Sequence, residues 1–91
     1  MPKERKVFTV SSTVLQPFTR DNYGGKIPVF LHLEVQDNPI VYSYDGQIPT
    51  VNEGHNLAAG GFLIFENGDD IENLKIRAVS TDARGIATVG V

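Results

Sequence analysis

The chain has 91 residues, no cysteine and a formal net charge of −3. This length suits one domain, the missing cysteines exclude disulfides and thiolate metal sites as reinforcement, and the acidic balance argues against a nucleic-acid binder. No apolar run approaches the ~18 residues of a membrane span and no signal-peptide core follows the basic start, so a soluble chain not targeted for export is expected.

In chain order, residues 1–6 read as a basic N-terminal arm, with Lys3, Arg5 and Lys6 around Glu4, and 7–91 as a single β domain. Val7 to Leu15 is the first strand, Phe8 and Val10 sharing one face and Val7 and Thr9 the other. Pro17 lacks the donor a ladder needs and ends that run or confines it to an edge. Residues 20–26 form a loop with Tyr23 exposed at its tip or folded over the rim of the core.

Ile27 to Val35 is the strongest strand, with Val29, Leu31, Leu33 and Val35 on an apolar face opposite Phe30, His32 and Glu34. A turn at 36–39 leads into Ile40 to Tyr44, and the two runs read as a hairpin. Residues 45–61 form the longest irregular stretch, and a loop of that length in a small domain is usually functional or packed on itself. Phe62 to Glu66 is a short apolar strand, residues 70–73 suit one helical turn, and Leu74 to Val79 alternates again. A turn at 80–85 leads to a last strand, Ile86 to Val91, whose apolar edge must be paired or tucked against a neighbour. The fold class expected is all-β, a small antiparallel β-sandwich or jelly-roll-like barrel of about six to eight short strands.

No reaction centre stands out, and no catalytic residue is assigned. His32 and Glu34 project together as i and i+2 residues, and His55 in the long loop is a conceivable third ligand, yet no further ligand converges and no metal or cofactor is expected. Glu66, Asp69, Asp70 and Glu72 are oxygen ligands of the right type for calcium without the loop spacing it requires, which reads as a solvated acidic turn. The serines lie in no nucleophile elbow, and Gly24-Gly25-Lys26 is followed by Ile27, where a phosphate loop needs a hydroxyl residue.

Binding is the better expectation. Phe30, Tyr42 and Tyr44 fall on one face of the expected hairpin, where they form either core or a patch that needs a partner. With Val89 and Val91 of the last strand they are the candidate oligomer interface. Candidate partner contacts are Lys3, Arg5 and Lys6 of the arm, with Gln47, Ile48, Val51, His55 and Asn56 of the long loop.

The strand IVYSYDG, the small-residue turn before an apolar strand in NLAAGGFLIFE, the DIENLKIRAVS segment and the terminal TVGV resemble small β-sandwich virion proteins of tailed bacteriophages. The early VFTVSSTVLQ and KIPVFLHLEV fit the opening of such chains. The resemblance covers most of the sequence and implies a non-enzymatic capsid decoration or cement subunit. Such a subunit binds the major capsid protein as a homo-oligomer, a trimer favoured, and reaches the virion surface after assembly in the host cytoplasm. Two alternatives stay open: a carbohydrate- or ligand-binding module using Tyr23, Tyr42 and Tyr44, and a receptor-binding or tail-tip subunit.

Overall fold

The computed structural model describes residues 3–91, with side chains from Glu4 onward. Two antiparallel sheets face each other. The first has the order β1 (Lys3–Val10), β7 (Ala83–Gly90), β2 (Phe30–Val35), β5 (Phe62–Phe65); the second has β4 (His55–Leu57), β3 (Ile40–Ser43), β6 (Lys75–Ala78). A helix of six residues, α1 (Gly68–Asn73), joins β5 to β6. The expected small all-β sandwich is the fold observed.

Period-two patterning builds the core. Leu31, Leu33 and Val35 of β2, Ala87 and Val89 of β7, and Ile76 and Ala78 of β6 are each no more than 1% exposed and meet between the layers. Ile40 joins them from β3, Val10 from β1, and Ile71 and Leu74 from α1 and its end. Asn67 starts the helix: its side-chain oxygen accepts from the Asp69 and Asp70 N–H groups at 2.9 and 3.2 Å.

Several expectations need correcting. The first strand opens at Lys3, inside the segment read as a separate arm, because β7 offers partners as far as Gly90. Beyond Val10 the chain leaves β7 and crosses to the second sheet, where Leu15 and Ile76 exchange backbone hydrogen bonds at 2.8 and 2.9 Å. The same crossing buries Phe18 completely, just past the proline that was to end the run.

β2 and β3 are not a hairpin; they lie in different sheets. The intervening turn is tied to the segment before β7. Asp37 Oδ1 accepts the Arg84 N–H at 2.8 Å, and Asn38 Nδ2 donates to the Asp82 carbonyl at 3.0 Å. Those anchors send the chain across the sandwich. β2 begins at Phe30, after the buried Pro28, so Val29 is 44% exposed and stands outside the core face expected of it. The stretch 45–61 is also less irregular than its composition implies, since His55–Leu57 pairs with β3 as β4.

Tyr23 is folded over the core rim at the end of one 3-10 turn, Arg20–Tyr23, with the Lys6 ammonium 4.7 Å from its ring centroid. The last strand begins earlier than expected, at Ala83, and is paired on both sides, by β1 and by β2.

Candidate protein-interaction face

The two sheets differ in what covers their outer faces. On the second sheet, Val41 and Ser43 point away from the core yet are buried, because residues 47–54 fold back over them. The Ser43 hydroxyl donates to the Gln47 carbonyl, Thr50 and Glu53 bridge, and Pro49 is buried beneath. The long stretch therefore packs on itself and on its own sheet.

Among the described residues, no segment folds over the outer face of the four-stranded sheet in this way. Register places Val7 beside Ile86, Ile86 beside Glu34, and Glu34 beside Phe62 in one row across the strands. Arg5, Thr88, His32 and Ile64 make the next row, and Phe30 faces Gly90 in the third. Val7, Phe62 and Ile64 are 57%, 60% and 53% exposed. The His32 ring stacks on Phe62 with centroids 5.5 Å apart and planes at 20°. Ile27 and Val29, ahead of β2, are also exposed, Ile27 lying beside Gly68 of α1. Alternation dictates this layout: each strand that gives the core its odd or even residues must place the others outside, and here many of those are Val, Ile and Phe. Val7 with Ile86 on one side and Phe62 with Ile64 on the other form two apolar groups, with Glu34, His32 and Thr88 between them, a surface that suits a protein partner.

A groove of about 470 Å³ runs beside β1, with Phe8, Leu15, Pro17 and Phe18 as its apolar wall and Lys6 and Asn22 as its polar groups. It lies where the chain swings from β1 to the second sheet. Its polar complement is small, and no acid–base pair faces into it.

The remaining candidate residues are spread over the molecule. Arg5 and Lys6 sit on β1, while Ile48 and Val51, 67% and 44% exposed, project from the loop over the opposite layer. Gln47, His55 and Asn56 are also exposed on that second layer. The structure does not gather these residues into one contact site, and the Lys3 side chain lies outside the described residues.

Of the expected oligomer interface, Val89 is 1% exposed and faces the core, so its side chain is unavailable to a partner. Val91 is partly buried against the core. Phe30 belongs to the outer face of the first sheet, whereas Tyr42 and Tyr44 stack in the second, centroids 6.4 Å apart. The three do not share a face. Tyr42 and Tyr44 also contact the His55 ring, and Tyr44 meets Phe65 edge-on at 5.2 Å, which closes the gap between the sheets. Burial, then the neighbouring Tyr44, raises the Tyr42 pKa above the ordinary phenol value.

His32 and His55 belong to different sheets and have separate ring partners, so they do not converge with Glu34 as ligands. The acidic turn is committed to local structure: Asn67 caps α1, and Glu72 takes the Arg20 guanidinium at 3.1 Å. Among the described residues, no group of three or more His, Asp or Glu side chains is placed to hold a metal ion. No helix among them is long and apolar enough to cross a membrane.

Phe62 and Ile64 are absent from the candidate contacts expected from the sequence and enter the candidate face through their exposure. Their signal was legible in part: FLIF carries large apolar residues at every position, more than one buried face can use. No family model, curated protein or solved structure matches the chain.

Proposed function

We propose that this protein is a non-enzymatic assembly subunit, specifically a decoration or cement subunit of a tailed-bacteriophage virion that binds the major capsid protein on the shell. The observation that carries this reading is the set of apolar side chains on the outer face of the four-stranded sheet, with Val7, Phe62 and Ile64 all more than half exposed. A small domain exposing such a surface gains by burying it against protein. The strand-and-turn resemblance to small virion proteins supplies the more specific identity, and a homotrimer is the favoured multimer. Several subunits tied together hold a shell through many modest contacts, because release requires all of them to let go at once.

The test is cosedimentation with shells assembled from the major capsid protein encoded in the same genome. Saturable binding at a fixed copy number, weakened by Phe62→Ser with Ile64→Ser, is the expected result. Absence of binding at micromolar concentrations by the well-folded chain overturns the reading. The carbohydrate alternative has less support in the geometry: Tyr44 stacks on His55, Tyr42 meets the same ring at a tilt, and Lys6 covers Tyr23.

A further inference from the structure

The four-stranded sheet ends in two unlike edges that complement one another. The Val35 N–H donates to the Gly61 carbonyl on the β5 side, and the Gln36 N–H donates to the Arg84 carbonyl on the β7 side. Backbone groups alternate direction along an antiparallel strand, so odd residues of β2 bond β5 and even ones bond β7. Through the register, Leu63 and Phe65 bond inward, while Phe62 and Ile64 direct their N–H and C=O groups to the open edge. The same alternation carried through β7 to β1 turns the backbone groups of Arg5, Val7 and Thr9 to the opposite open edge. β5 carries no lysine, proline or other charge of the kind that normally blunts an edge strand.

Charge differs across the sheet. Arg5 and Lys6 outweigh Glu4 on β1, whereas Glu66 follows β5 directly and Asp69 and Asp70 stand in α1 beyond it. Each strand in the order β1-β7-β2-β5 is antiparallel to its neighbour, so β5 and β1 run in opposite directions. A second copy added in the same orientation therefore presents its β1 antiparallel to β5. One register sets Ile64 opposite Val7, Phe62 opposite Thr9 and Glu66 opposite Arg5, all on the outer face. Ile64 meets Val7, the aromatic Phe62 meets the β-branched Thr9 and the Glu66 anion meets the Arg5 cation, arrangements cross-strand pairs favour.

We infer that copies of this chain associate head to tail, β5 of one pairing with β1 of the next through this register, the second copy being the occupant of both edges. A heterologous contact of this kind closes into a ring or continues as a filament, and it sets Phe62 and Ile64 of one copy beside Val7 of the next. This pairing deepens the assembly reading proposed above and rests on it. Self-association and shell binding are read in separate experiments, so one can fail while the other stands.

The test is the solution mass of the full chain by light scattering and analytical ultracentrifugation. The wild type is expected as an assembly of three or more copies. Arg5→Glu and Glu66→Arg should each weaken association roughly tenfold, and the double variant should restore it. Val7→Pro and Ile64→Pro each block one edge at a residue whose N–H points outward, so no existing ladder bond is lost. Each should be monomeric alone, and an equimolar mixture should give a one-to-one dimer. A monomeric wild type overturns the inference, as does a double charge reversal that fails to restore association. A Val7→Pro variant that still forms a dimer overturns it in favour of symmetric β5–β5 pairing. Should the proline variants fail to fold, as judged by circular dichroism, the exposed charge reversals decide the question.

Discussion

The Phe8 ring lies over Gly85 of the neighbouring strand, so close that a β-carbon there would stand 2.9 Å from the ring Cζ. The two residues are register partners, and Phe8 also meets Phe18 edge-on with centroids 6.0 Å apart. The absent side chain on β7 is what lets the ring settle into the core.

Gly85→Ala should therefore destabilise the fold by about 1–3 kcal/mol through overpacking. Phe8→Leu in the same chain should recover part of the loss, since a smaller side chain makes room. Urea unfolding of the two single variants and the double variant measures the coupling. Strict additivity would show that the ring and the glycine do not meet as described.

Tyr23 has a buried hydroxyl with no hydrogen-bond partner among the described residues. Burying an unpaired hydroxyl costs free energy, so Tyr23→Phe should leave stability unchanged or raise it by roughly 1 kcal/mol. Burial, then the nearby Glu4 carboxylate, raises the Tyr23 pKa above the ordinary phenol value. The unfolded chain thus loses this proton first as pH climbs past about 10, and stability falls with rising pH in that window. Part of this alkaline decline should vanish in Tyr23→Phe, as thermal melts between pH 9 and about 11 would reveal.

Arg20 and Glu72 form the one ion pair among the described residues. Two guanidinium nitrogens donate to the two carboxylate oxygens at 3.1 and 3.2 Å, and the Arg20 N–H adds a third bond at 3.3 Å. Hydrogen bonding from Arg20 holds Glu72 below the usual carboxylate range. The contribution is present above the unfolded-state pKa of about 4.3 and is lost as pH falls through the lower folded-state value. Glu72→Gln should flatten the acid limb of the stability curve, and molar salt should shrink the difference because the pair is solvent-facing.

Gly54 holds φ at +144°, and a β-carbon there would lie 2.5 Å from Val41 Cγ1 and 3.1 Å from the Tyr42 carbonyl oxygen. Gly54→Ala combines backbone strain with a clash and should cost about 1–3 kcal/mol. The change should act locally, lifting residues 47–54 from the second sheet. Hydrogen exchange should quicken in that loop and at β3 before it changes in β7, and a uniform rise across both sheets would contradict this.

Much of the architecture was legible because alternation is a local property. Leu31, Leu33, Val35, Ile76 and Ala78 announce their faces within a few residues of sequence, and all five are buried. Pairing partners were less legible. Nothing local to 36–39 shows that Asp37 and Asn38 find their hydrogen-bond partners at Arg84 and Asp82, more than forty residues away. The hairpin expected there was the default for adjacent strands.

β4 escaped notice because His-Asn-Leu carries no strand propensity of its own and owes its conformation to pairing with β3. The candidate face was half visible: Val7 and Phe62 stood in recognised strands, but whether their outward sides were covered depended on where the 47–54 loop came to rest.

β7, the last of the seven described strands in chain order, lies between β1 and β2 and bonds to both. On a translating ribosome, β1 and β2 thus emerge with no common strand to join them. The four-stranded layer closes only once residues 83–90 have emerged, and until then the β7-facing edges of β1 and β2 stand unpaired and open to association.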